Sequence, residues 1–133
     1  MSEYIKEKDV ASIIAQVINQ AAWVDHADGI AKIRPVVLVF HEAPSDIKYL
    51  ETLGYDIYKA RNVIEVVDTR QMHQFVAKRK DAASLASVLD SLELSYMHLH
   101  NAGNDAVYTL RAMIGLAVKR RLQRLEKARK GEE

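Results

Sequence analysis

The chain has no cysteine. That removes a disulfide framework and any thiolate metal site, and it suits an intracellular protein, cytoplasmic or nuclear. Long apolar runs are also missing. None approaches the roughly 20 residues that a membrane-spanning helix needs, so no membrane partner is expected. Residues 1–10 contain no apolar core and do not read as a secretory signal. They carry three acidic residues and no arginine, which argues against a mitochondrial presequence. Internal repeats and low-complexity stretches are absent as well. What remains is a chain of 133 residues, 49% of them hydrophobic, which is enough apolar content to fold and places it outside the disordered class. One domain over 1–133 is expected, with a folded core over 9–118 and a basic helical tail over 119–133.

The net charge of +1 conceals an asymmetry. Residues 1–110 hold 11 basic and 15 acidic side chains, whereas residues 111–130 hold eight basic side chains against the single acid Glu126. A basic segment on an acidic body is a candidate phosphate contact, and Arg111, Lys119, Arg120 and Arg124 are its candidate nucleic-acid residues. The same cations also suit the dipole at a helix C-terminus. Leu122 and Leu125 among them would equally serve packing against a partner helix. No aromatics are interleaved with these cations to form a stacking surface for single strands.

Hydrophobic periodicity supplies the elements. Val10, Ile13, Ile14, Val17, Ile18 and Ala21 recur at three- and four-residue steps and predict a helix over 9–24, with Asp9 as its N-cap. Residues 25–33, with Asp28-Gly29, read as a loop. Residues 35–40 form a continuous apolar run, the pattern of a strand buried on both faces. A turn follows, then a short helix over 46–53, capped by Ser45 and stopped by Gly54. A second strand is predicted over 63–67, a helix over 69–77 opened by Asp68-Thr69, and another helix over 82–91. Residues 93–104 read as irregular. A last helix is expected from Asp105 to about 129, with Val107, Leu110, Ile114 and Ala117 facing inward. Two strands joined through a helix imply a parallel pair in an α/β arrangement. A two-stranded sheet is marginal alone and leaves open edges. Glu65, inside the second strand, must reach solvent or pair with Arg61 or Arg70.

Two segments carry more than structure. The first runs Val37-Leu38-Val39-Phe40-His41-Glu42-Ala43-Pro44-Ser45-Asp46-Ile47-Lys48-Tyr49-Leu50: a buried strand, a turn, and an aspartate opening a helix. The second is His100-Asn101-Ala102-Gly103-Asn104-Asp105-Ala106, which contains His-x-Ala-x-x-Asp. In order and spacing, residues 35–118 resemble the second and third exonuclease motifs of DEDDh 3′–5′ exonucleases. The wording of the second segment is closest to a fungal RNase H-like branch related to them. The resemblance implies a truncated RNase H-like fold: a short parallel sheet flanked by helices, with a long C-terminal helix.

In that family four carboxylates hold two divalent ions, Mg2+ or Mn2+, which activate a water and stabilise charge on the scissile phosphate. By position, the resemblance makes Asp46 and Asp105 metal ligands and His100 the general base. The family's first motif, Asp-x-Glu on a central strand, has no counterpart upstream of Val36, and Asp25-His26-Ala27-Asp28 has the wrong spacing. The implied function is therefore a nucleic-acid-associated domain with an incomplete catalytic site, a degenerate exonuclease, with RNA ahead of DNA as partner. One alternative is a non-catalytic interaction module, pairing with another copy or a partner strand at the sheet edge of residues 35–40. Another is the C-terminal portion of an active metal-dependent nuclease. Read singly, Asp46 is also an acid favoured by about 0.3–1 kcal/mol in a first helical turn, and Asp105 is also a plain cap. His41 reads as a turn residue. His98 and His100, with no further ligand near them, are a poor zinc pair.

Overall fold

The computed structural model describes residues 5–19, 22–24 and 27–131. The fold is α/β, with a two-stranded parallel sheet and a long C-terminal helix, in agreement with the RNase H-like expectation. The chain divides into two compact units. One comprises residues 1–38 and 43–66, the other residues 39–42 and 67–133.

In the first unit, a 3-10 turn over Glu7–Asp9 leads into α1 (Val10–Asn19). The predicted helix over 9–24 is too long. Ala22–Val24 form a strand, β1, antiparallel to β2 (Ala31–Ile33), with Trp23 opposite Lys32. The apolar stripe extends over Ala21, but helical periodicity could not register that Trp23-Val24 pair with the strand that follows. Residues 25–33, expected as a loop, thus contain half of a hairpin. Its connection uses Gly29 at φ +69 and an Asp28 side chain that accepts the Ile30 amide at 2.9 Å. Asp25 and His26 lie outside the described residues.

The predicted run over 35–40 is β3 (Val36–Phe40), and its neighbour in the sheet is β4 (Val63–Asp68). Asn62 fixes the entry into both strands. Its buried side-chain amide donates to Ile18 O at 2.8 Å and to Arg34 O at 3.3 Å, while its backbone carbonyl accepts the Val36 amide at 2.7 Å. Glu65 is exposed, so its reach to solvent explains a carboxylate in an apolar strand. The helix expected over 46–53 starts earlier, as α2 (Ala43–Thr52), so Ser45 lies inside its first turn and is not its cap. Pro44 explains the early start, because proline in a first turn forfeits no helical hydrogen bond. Gly54 does stop it. At φ +89, it lets the Tyr55 amide reach Leu50 O at 2.9 Å and its own amide reach Glu51 O at 3.0 Å, a Schellman closure.

The second unit holds α3 (Thr69–Ala77), α4 (Leu85–Ser91) and α5 (Ala102–Arg129). Asp68 caps α3 and Ser84 caps α4 through side-chain oxygens. Val76, Ala83, Val88, Leu89, Ala112 and Leu116 form the buried cluster, ringed by Met72, Leu85, Leu92, Leu94, Tyr96, Leu99 and Tyr108. The buried positions of α5 are Thr109, Ala112 and Leu116. The expectation for α5's inward face is therefore overturned: Val107, Leu110 and Ile114 are 49%, 48% and 53% exposed, and Ala117 is exposed too. The helix carries two apolar stripes, and Thr109, Ala112 and Leu116 take the interior, with Gly115 beside them. They allow close approach: a β-carbon on Gly115 would stand 3.0 Å from Leu92 Cδ1.

His73 lies on the buried side of α3, 3% exposed, and its Nδ1 has no hydrogen-bond partner. Burial lowers its pKa, and the positive charges of Arg79 and Lys119 lower it further, against a smaller opposing pull from Asp81. A group held neutral in the fold binds its proton more readily once unfolded. Stability is therefore lost as pH falls below the ordinary histidine value of 6.5. Thermal melts from about pH 8 to pH 5 should show a falling Tm. His73→Leu should flatten that slope without lowering the Tm at the alkaline end.

Candidate active site

The His-x-Ala-x-x-Asp segment is a loop pinned onto the start of α5. Its N-cap is Asn101, whose side-chain oxygen accepts the Gly103 amide at 3.1 Å and the Asn104 amide at 3.3 Å. The helix thus begins at Ala102, three residues before the expected Asp105, and Asp105 lies in its first turn. There one carboxylate oxygen accepts the backbone amide of His100 at 2.9 Å. Asn104 donates its side-chain amide to His98 O at 3.2 Å, and the Tyr108 hydroxyl accepts the Met97 amide at 3.2 Å. Two loop amides, of Met97 and His100, and the His98 carbonyl are thereby tied to the helix that follows. His98 and His100 both have left-handed backbones, at φ +54 and +76. That conformation is uncommon away from glycine, and it costs free energy that these hydrogen bonds offset.

His100 and Asp105 are thus brought together, by a backbone-to-carboxylate bond. The His100 side chain is exposed and Asp105 is half-buried. Asp46 belongs to the other compact unit, in the first turn of α2, where it is exposed.

Sequence reasoning missed a polar cluster past the ends of β3 and β4. His41 Nε2 lies 3.0 Å from Ala83 O, and a carbonyl only accepts, so this nitrogen carries the proton. Nδ1 lies 2.9 Å from Thr69 Oγ1, and that hydroxyl is 3.1 Å from Phe40 O. One oxygen of Asp68 accepts both the Glu42 amide, at 3.0 Å, and the Arg70 amide, at 2.9 Å. Arg70 pairs with Glu42 at 3.1 Å. His41 is therefore a bracing residue and more than a turn histidine. The Asp68-Thr69 pair at a strand end was the available signal.

Of the four candidate nucleic-acid residues, Arg120 and Arg124 line one cleft between α3 and α5, together with Arg121. The Arg120 guanidinium stacks 4.7 Å from the centre of the Phe75 ring. Arg111 stacks on Tyr108 at 5.4 Å, and nine residues of helix place it about half a turn away from Arg120. Lys119 is half-buried.

A divalent ion of the Mg2+ type takes about six oxygen ligands. Among the described residues, no group of three or more histidine, aspartate or glutamate side chains could hold a metal ion. The described residues therefore do not by themselves assemble a two-metal centre.

An α/β chain with a strand–turn–Asp segment and an ordered His-x-Ala-x-x-Asp loop falls in the DEDDh exonuclease-related class. Its residues 1–116 match the family described as DNA polymerase III subunit epsilon-like, C-terminal domain, and the chain belongs to that DEDDh family. It is 31% identical over 106 residues to an uncharacterized nucleolar protein of Schizosaccharomyces pombe, covering 74% of this chain and 42% of that one. It is 30% identical over 94 residues to an uncharacterized protein of Saccharomyces cerevisiae, covering 59% of this chain and 19% of the relative. A third relative, from the same yeast, is named good for full DBP5 activity protein 2; it is 32% identical over 89 residues, covering 54% of this chain and 16% of its own length. The chain thus spans less than half the length of each of these relatives.

Removing the Asn101 cap in Asn101→Ala should cost about 1 kcal/mol in urea unfolding. It should also speed amide exchange at Gly103 and Asn104, read by NMR, because both amides lose their acceptor.

Proposed function

We propose that this chain is a nucleic-acid-associated domain of DEDDh exonuclease ancestry whose own acids do not complete a catalytic site. The observation that carries the reading is the ordered His100–Asp105 loop in a DEDDh-family chain without a set of three metal-holding side chains among the described residues. In this reading His100 takes the place of the family's base, and Asp46 and Asp105 take the places of two of its metal-holding acids. Mg2+ or Mn2+ would be the ion if the remaining ligands were supplied. RNA is the favoured partner. A nuclear location accords with the nucleolar name of one relative. No helix among the described residues is long and apolar enough to cross a membrane.

The test is a manganese-dependent exonuclease assay on end-labelled RNA and DNA oligonucleotides, with Asp105→Ala and Asp46→Ala as controls. The expected result is no cleavage by the wild-type chain above either control. Cleavage that requires manganese and vanishes in both variants would replace this reading with that of an active nuclease.

A second reading, an oligomerisation module, has one observation in its favour. Val107, Leu110, Ile114, Val118, Leu122 and Leu125 are all exposed on α5. Leu125 lies eighteen residues beyond Val107, about five helical turns, and the set forms a straight apolar stripe along one side. Its occupant in this reading is a second copy of the chain. Sedimentation at rising concentration should then show mass increasing toward a dimer, and Leu122→Glu should remain monomeric. A wild-type chain that stays monomeric throughout removes the reading.

A further inference from the structure

The cleft between α3 and α5 lies on the second unit, and neither the His100–Asp105 loop nor the polar cluster at the strand ends uses it. Its floor is apolar, formed by Met72, Val76 and Leu116, and its wall carries Arg120, Arg121 and Arg124. Phe75 stands at the rim, 65% exposed, with the Arg120 guanidinium over its ring. The cleft holds about 280 Å³. Two adjoining depressions share Arg120 with it and extend it toward Lys78, Lys80, Lys127 and Lys130. The acids near this surface are already engaged: Asp81 pairs with Arg79, and Glu126 pairs with Lys130 at 3.1 Å. The walls are also set in place before any ligand arrives. Gln123 donates to Val76 O at 3.2 Å, closing one of the open carbonyls at the end of α3 and fixing α5 against it.

An exposed aromatic ring among arginines is the arrangement that binds single-stranded nucleic acid. The ring offers a stacking face to any base, and the cations follow the phosphates. We propose that this cleft is a binding site for single-stranded nucleic acid, with one base stacked at Phe75 and the flanking phosphates held by Arg120, Arg121 and Arg124. The proposal rests on the nucleic-acid reading above and gives it a location away from the exonuclease motif. Charge complementarity selects the occupant, because the surface presents many cations and its few acids are paired. The apolar floor alone would not choose between ligands. The aromatic member comes from α3, about 45 residues before the arginines, so the basic segment read by itself showed none.

The experiment is a fluorescence-anisotropy titration of the full chain against labelled oligouridine and oligothymidine of about 12 nucleotides, from about 50 to 200 mM salt. Wild type should bind both, and its affinity should fall with salt at a log–log slope of about −2, for three phosphates at about 0.7 each. Phe75→Leu keeps an apolar side chain but removes the stacking face. It should weaken binding about tenfold and leave the slope unchanged. The pair Arg120→Gln and Arg124→Gln should flatten the slope by about 1.4. Far-UV circular dichroism checks that each variant keeps its helices.

Binding that survives all three substitutions with an unchanged salt slope overturns the cleft and leaves the nucleic-acid reading standing. No binding by the wild-type chain to either oligonucleotide at low salt overturns both. A polyglutamate competitor that displaces the probe, with Phe75→Leu behaving as wild type, identifies an acidic-protein site and also overturns the proposal.

Discussion

Ala112 and Leu116 are fully buried on α5, in one cluster with Val76, Val88 and Leu89. Small side chains let the helices approach closely, and dispersion contacts reward that approach only when shapes match. This contact orients all 28 residues of α5 as one body. Its first turns receive the exonuclease-like loop, and its second half supplies the arginines of the cleft. The apolar stripe left on the outside follows from the same choice, because a helix that buries the face of Ala112 and Leu116 leaves the face of Leu110 and Ile114 exposed.

At the start of α5 the constraint is different in kind. Two histidines hold left-handed conformations that a glycine would adopt more readily. They are kept there by donors and acceptors from the next eight residues: Asn104, Asp105 and Tyr108. Asp105 therefore serves a structural purpose whatever its metal chemistry, since its carboxylate closes the loop against the His100 amide. Family membership and a preserved loop are compatible with lost catalysis for this reason. The carboxylate is held in place by folding as well as by any reaction.

Much of the fold was legible in particular residues. The β-branched runs over Val36–Phe40 and Val63–Asp68 could be little but strands, and the spacing from His100 to Asp105 marked the family before any geometry was available. Asp68 and Gly54 open and end their helices through local chemistry, and local chemistry is what a sequence states most directly. The hairpin of Ala22–Val24 with Ala31–Ile33 was not legible, since three-residue strands have no period to detect. Nor was the role of His41, whose partners Thr69 and Ala83 lie 28 and 42 residues away.

By itself, then, the sequence determined the two strands of the parallel sheet, most of the helices and where they stop, and which family's motifs the chain carries. These properties depend on neighbours a few residues apart. The tertiary structure decided which stripe of α5 faces inward and brought Phe75 beside Arg120. On a helix with two apolar sides, hydrophobicity favours burying either one. Only packing against α3 and α4, where a β-carbon in place of Gly115 would stand 3.0 Å from Leu92 Cδ1, breaks the tie.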